Sequence, residues 1–352
     1  MRKRIPILLL FCLFLFTNGQ AQVSKTINVT TPGTLSTLLT PNELSTVTDL
    51  TVTGSIDARD FKTMKYKMIV LDKIDISAVN INYYKGKGGP QEYFYTDTTS
   101  VTEYPANEIP TYAFYLFSWT SIGKESLISI NLPNSITSIG ENALRGCNGL
   151  VGNLIIPSKV TKIRNGAFQD CTGLTGSLII PYSVKSIEDY AFFNCSGFNG
   201  ALTLSESVES IGANAFQNCS HFTGPLIIPS GVSTINTNAF ANCSSFNGSL
   251  TISNSVTTIG QGAFVGCSGF TGSLIIPPLV TTIQSDAFQA CSGFNGNLTL
   301  SNSVTTIEDG AFEGCSGFTG SLTIPLSKIL SVDVKTGILP SARLRILTNV
   351  SF

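Results

Sequence analysis

The sequence predicts a repeat solenoid of stacked parallel β-strands, and three observations carry that prediction. Eight cysteines, Cys147, Cys171, Cys195, Cys219, Cys243, Cys267, Cys291 and Cys315, stand 24 residues apart. The apolar positions keep the same period, so that Leu154, Ile156, Val160, Ile163, Ala167, Phe168, Cys171 and Leu174 recur in kind from unit to unit. A glycine opens every regular unit, from Gly152, Gly176 and Gly200 to Gly320. Repeats of this length mean a solenoid, because one unit cannot bury its apolar side alone and must stack on its neighbours.

Within a rung, Leu154 and Ile156 lie two apart and share one face of a strand, which leaves Ile155 pointing the other way. Val160 and Ile163 begin a second, shorter extended or turn segment. Ala167, Phe168 and Cys171 then fall at i, i+1 and i+4, the spacing of a short helical or 3₁₀ turn that lays Phe and Cys on the core. The opening glycine suits a tight turn or a positive φ. Rungs stacked in parallel register about 4.8 Å apart make a rod about 40 Å long from the eight cysteine-marked units. From Leu178 onward, rungs with Leu-Ile-Ile-Pro alternate with Leu-Thr-Leu-Ser or Leu-Thr-Ile-Ser, so a two-rung unit has been duplicated.

The ends depart from the period. Residues 1–21 read as a secretory signal: Arg2, Lys3 and Arg4, an apolar run from Ile5 to Phe16, then small Gly19 and Ala21 before Gln22. Phe11 before Cys12, and the apolar run continuing past it, argue against a lipoprotein signal. Residues 22–108 lack the strict period and are expected to form an irregular N-terminal cap, the regular repeats occupying 109–325. Eight of the ten tyrosines fall between Tyr66 and Tyr115, with Trp119 close behind, and cap packing is preferred to a ligand platform for them. After Pro325, Lys328 and Ser331 stand where earlier rungs have Val and Ile, so residues 326–352 are expected to be a C-terminal tail or cap.

The run from Leu250 to Cys267, Leu-Thr-Ile-Ser-Asn-Ser-Val-Thr-Thr-Ile-Gly-Gln-Gly-Ala-Phe-Val-Gly-Cys, resembles the BspA-like leucine-rich repeats of bacterial surface proteins, particularly Bacteroides-type proteins. Leu71-x-x-Ile74-x-Ile76 and Leu127-x-x-Ile130-x-Leu132 share that spacing upstream. The resemblance implies a leucine-rich-repeat stack. It also implies an exported protein, at the cell surface or secreted, that adheres to host matrix proteins, host cells or other bacteria. It names no ligand.

Chemistry is sparse. Charged residues make up 12% of the chain and the net charge is −1, which leaves no basic surface for nucleic acid. His221 is the only histidine, and its repeat position holds Gly or Ser in the other rungs, Gly197 and Ser245 among them, which marks a drifted turn position. Glu188 with Asp189, and Glu308 with Asp309, are sequence neighbours in a variable turn and read as solvated loop charges rather than paired glycosidase carboxylates. No phosphate loop, calcium loop or Cys-x-x-Cys is present. Each ladder cysteine sits at the same inward site beside a Phe, with neighbouring Cβ vectors parallel, so free buried thiols are expected rather than disulfides or zinc ligands. No enzymatic activity, cofactor or metal is expected, and no membrane-spanning segment in the mature chain.

The expected partners are extracellular or surface proteins. The candidate contact residues are the outward positions between the two inward strand residues: Ile155, Ile179, Thr203, Ile227, Thr251, Ile275, Thr299 and Thr323. Strand propensity alone would favour β-branched residues there. Exposed isoleucines in a line would instead form an apolar patch that monomeric proteins seldom show without a partner. The alternative is a glycan-binding or glycan-processing protein with its site in the aromatic N-terminal segment.

Overall fold

The computed structural model describes residues 22–91, 101–116 and 123–323, together with the backbone of Ser331–Val332. Residues 1–21 with Cys12, which the sequence reads as a secretory signal, the aromatics Tyr93, Tyr95 and Trp119, and the rest of 326–352 lie outside the described residues.

The chain winds into a parallel-strand solenoid of about 12 turns. Each regular turn has three faces. The first carries the Leu-x-Ile segment, with Leu178–Ile179 paired to Leu202–Thr203, Leu226–Ile227 to Leu250–Thr251, and Leu274–Ile275 to Leu298–Thr299 and then Leu322–Thr323. The second carries the Ser/Thr-Ile segment. It forms the longest sheet, a 10-stranded parallel ladder from Glu108–Ile109 through Ser138–Ile139 and Lys162–Ile163 to Thr306–Ile307 and Ser331–Val332.

The unbroken sheet thus lies one corner away from the segment the sequence favoured. On the first face the ladder stops before each Leu-Ile-Ile-Pro rung: Leu202–Thr203 does not pair with Leu226–Ile227, nor Leu250–Thr251 with Leu274–Ile275. Pro181, Pro229 and Pro277 close those rungs. A proline has no N–H to offer the preceding rung and puts its ring where that N–H would point. The Leu322–Thr323 strand pairs despite Pro325, which lies outside the described residues.

The third face, expected to be a helical or 3₁₀ turn, is a run of turns hydrogen-bonded three residues back that do not join into a helix. Its N–H groups alternate between two destinations. Ala167, Gln169 and Cys171 donate three residues back within the rung, while Gly166, Phe168 and Asp170 donate to Asp189, Ala191 and Phe193 of the next rung. Two left-handed residues per rung produce this alternation, at Gly166 (φ 60°) and Asp170 (φ 62°) and their equivalents Asn214 with Asn218 and Asn238 with Asn242. Such backbone cannot propagate a helix, and it bonds each rung to its neighbour instead.

The N-terminal segment is more regular than its sequence. Ser24–Val29, Asp49–Ile56, Lys73–Ile81 and Ser129–Asn131 form one parallel sheet in that order. Bonds from Asn82 N to Ile56 O and from Asn107 N to Ile81 O carry it round the corner into the second face. The helix Ala58–Tyr66 replaces the third face here, capped by Asp57 and Asp60, whose carboxylate also accepts from Gly33 N and Leu35 N. An antiparallel pair, Tyr84–Gly86 with Thr102–Tyr104, interrupts the turn that follows. Among the described residues no helix is long and apolar enough to cross a membrane.

One continuous core runs the length of the stack. Phe168, Phe192, Phe216, Phe240, Phe264, Phe288 and Phe312 form a ring stack with centroids 5.3 to 5.5 Å apart and planes within 10° of parallel. A second stack runs from Phe198 to Phe318. Rung spacing forces identical rings into near-parallel offset contact, which adds to their area burial.

Candidate functional site

The outward stripe is built as the alternation of the strand requires. Leu178 and Ile180 are buried, and Ile179 between them is 62% exposed. Ile155 is 79% exposed, Ile227 54% and Ile275 62%. Thr203, Thr251 and Thr323 are exposed and Thr299 half-buried. Register places them in line: Ile179 beside Thr203, Ile227 beside Thr251, and Ile275 beside Thr299 and Thr323.

Upstream the line becomes polar. Thr26, Thr51, Asp75 and Asn131 are in register on the N-terminal sheet. Burial opposes the charge on Asp75, yet hydrogen bonds from Ser77 and Asn131 hold its carboxyl below the usual range. At the junction, no backbone hydrogen bond joins Asn153–Ile156 to either neighbouring rung. A cleft of about 260 Å³ opens there, lined by Ile130, Leu132, Val151, Leu154 and Ile155 among others. Val151 is 62% exposed at its rim. The ladder fails on both sides of this rung because Leu154–Pro157 and Leu178–Pro181 are consecutive Leu-Ile-Ile-Pro rungs, whose Pro157 and Pro181 have no N–H for the rung before.

The residues that posed as catalytic groups hold the stack together. His221 is exposed, with Nδ1 2.6 Å from the Ser196 carbonyl of the rung before. Glu188 accepts from Asn165 N at 3.1 Å and Asp189 from Ala213 N at 2.7 Å, while Glu308 accepts from Ser285 N at 3.0 Å. Glu188, Asp189 and Glu308 thus tie rung to rung, while Asp189 and Asp309 are also exposed, as loop charges are expected to be. Of the described N-terminal tyrosines, Tyr104 and Tyr115 are buried, and Tyr84 stacks on Tyr104 with the Arg59 guanidinium over its ring. Tyr83 is 55% exposed.

All eight ladder thiols are free and buried. From Cys171 onward each Sγ donates to the carbonyl of the Phe or Leu in the rung before, at 3.0 to 3.1 Å, whereas Cys147 reaches Phe114 at 3.9 Å. Burial pushes Cys147 and Cys267 up to about 12. Nucleophilic or metal-binding thiolates are disfavoured by that shift.

A family model of the BspA type leucine rich repeat region matches the chain in 6 copies, over residues 107–247, 171–295 and 216–329. Together these spans cover well over half of the chain. The chain belongs to the BspA-type leucine-rich-repeat family. Among solved structures, a leucine-rich-repeat protein of T. pallidum is 31% identical, covering 46% of this chain and 71% of its own at a TM-score of 0.39. One from Bacteroides ovatus is 20% identical over 80% of each chain, TM-score 0.36. A leucine-rich cell surface protein from Faecalibacterium prausnitzii is 20% identical, covering 85% of this chain and 82% of its own, TM-score 0.34. A search of curated proteins returns no match. BspA-type leucine-rich-repeat proteins are generally surface proteins, and leucine-rich-repeat proteins generally bind other proteins without catalysis.

Proposed function

We propose that the chain is an exported binding or adhesion protein, displayed at the cell surface or secreted, whose first face contacts extracellular proteins of a host matrix or of other bacteria. One observation carries the reading. Four isoleucines at the equivalent outward position of their rungs are 54 to 79% exposed, although the Leu and Ile on either side of them, Leu154 apart, are exposed to 8% or less. Sheet propensity accounts for β-branched residues there but not for the choice of Ile over Thr, since Thr serves equally well in alternate rungs. Covering such a side chain is worth about 1.5 to 3 kcal/mol when it is buried fully. The decisive screen presents the secreted chain to immobilised matrix proteins and bacterial cells beside a glycan array. Saturable binding to proteins is expected. Binding to glycans alone, lost in Tyr83→Ala, would move the site to the aromatic N-terminal segment.

A further inference from the structure

The first face has a self-complementary pattern. From Ile155 to Thr323 the stripe reads Ile, Ile, Thr, Ile, Thr, Ile, Thr, Thr. Laid against its own reverse, every Ile meets a Thr: Ile155 with Thr323, Ile179 with Thr299, Thr203 with Ile275, and Ile227 with Thr251. A two-fold interface requires this relation, in which residue i contacts j while j contacts i. The reverse arrangement follows from placing the axis between the rungs of Ile227 and Thr251, along the strand direction. A two-fold along the solenoid instead sets Ile on Ile and Thr on Thr.

Size and charge agree. The five first-face positions of each rung, 153–157 and their equivalents as far as 321–323, hold no charged residue. Nothing on this face repels its own copy, and no charged partner is attracted to it. Eight rungs at about 4.8 Å, each about five strand residues wide, offer roughly 600 Å² per copy. Two copies together bury about 1,200 Å², the lower end of stable specific interfaces. From Ile179 to Ile275 exposed Ile recurs every second rung, at about 10 Å, so the shorter Thr between leaves the space into which the opposing Ile fits.

We propose that one protein the first face contacts is a second copy of this chain, as another bacterium displaying it would present it, apposed face to face with its solenoid axis reversed; this rests on reading the first face as a contact surface. Sedimentation of the mature chain is expected to show a monomer–dimer equilibrium that changes little with salt, as an uncharged interface dictates. Thr203→Ile with Thr251→Ile makes the face more apolar but fills the receiving spaces. Association weakened about tenfold is expected; unchanged or tighter association overturns the pairing.

The register is read by cross-linking. Ile179→Cys with Thr299→Cys puts two thiols five rungs apart in one chain, about 24 Å, far beyond the reach of an internal disulfide. Mild oxidation is expected to give dimers whose mapped peptides join position 179 of one copy to 299 of the other. Links of 179 to 179 and 299 to 299 overturn the reversed arrangement. A chain that stays monomeric to about 100 μM, while Ile179→Asp with Ile227→Asp abolishes capture of another protein, overturns self-pairing and leaves the first face as a contact surface.

Discussion

The thiol of Cys195 donates to the carbonyl oxygen of Phe168 in the rung before it at 3.0 Å, and the same oxygen accepts the N–H of Cys171 at 3.1 Å. The carbonyl uses both lone pairs and the thiol has a donor role that no aliphatic residue could fill. Every thiol from Cys171 to Cys315 repeats this contact. The ladder is therefore a set of weak hydrogen bonds across rungs as well as a packing column. Titration of the native chain with a thiol reagent is expected to find almost none, and titration in denaturant without reductant to find eight. Fewer than about two in denaturant would show pairing along the stack, which export to an oxidising compartment permits.

Alkali should unfold the chain. Burial raises seven of these thiols, Cys147, Cys171, Cys195, Cys219, Cys243, Cys267 and Cys291, above the ordinary value of 9.0. Above pH 9 the unfolded chain releases protons that the folded chain keeps, so stability present below pH 9 is lost as pH climbs toward the folded values. Each buried thiol adds to that loss, so the fall steepens with pH until the folded thiols themselves titrate. Lys124 acts in the opposite sense. Burial lowers it to about 8, its ammonium donating to the Met68 carbonyl at 2.7 Å, so it adds stability as pH rises from 8 toward 10.5. One group against seven leaves a net fall. Urea midpoints at pH 7.5, 8.5 and 9.5 under argon test this, and a flat profile would contradict the buried ladder.

Phe240→Ala empties one position of the longer ring stack, where Phe240 lies 5.4 Å from Phe216 and 5.5 Å from Phe264. A loss of about 3 to 5 kcal/mol is expected, shared with both neighbouring rungs because stability in a solenoid passes through interfaces. Thermal or urea unfolding measures it. A change under about 1 kcal/mol would place the ring outside the core.

Ala290 sits at φ 59°, where equivalent rungs have Asn194, Asn218, Asn242, Gly266 and Gly314. A Cβ is strained in that region, and Gly removes the strain while keeping the N–H that donates to Glu313 O. Ala290→Gly is expected to stabilise the chain by roughly 0.5 to 1 kcal/mol, against the usual cost of adding Gly. A lower unfolding midpoint would show that the third-face geometry is wrong at this rung.

Much of this was legible because the repeat is its own ruler. Cysteines marked the period, Phe168 and its equivalents the core, and the two-residue strand alternation the outward Ile155 and Ile179. The N-terminal sheet was legible only in part: the spacing of Ile74-x-Ile76 and Ile130-x-Leu132 pointed to it, but Asp49–Ile56 and Lys73–Ile81 are longer than the later strands and carry no cysteine. The third face was legible as tight turns but not in its left-handed residues. Ala167, Phe168 and Cys171 do have helical spacing, but the Gly, Asn and Asp residues four apart, such as Asn214 with Asn218, signalled paired left-handed turns. At the far end, Ile307 pairs with Val332 while Ile283 pairs with Ile307, so one residue is inserted where the motif looked broken. The cleft beside Ile155 was signalled only by Pro157 and Pro181, which close two consecutive rungs where later Leu-Ile-Ile-Pro rungs alternate with proline-free ones.

The most direct test of the first face as a contact surface is the binding isotherm of Ile179→Asp with Ile227→Asp against the parent, on whichever protein the screen retains, with melting temperatures measured in parallel. Both side chains are more than half exposed, so the fold should tolerate the carboxylates. Binding lost by at least a hundredfold, with melting within about 2 °C of the parent, is the expected result. A folded double variant that binds as well as the parent would contradict it and put the contact on the turns or the N-terminal aromatic segment.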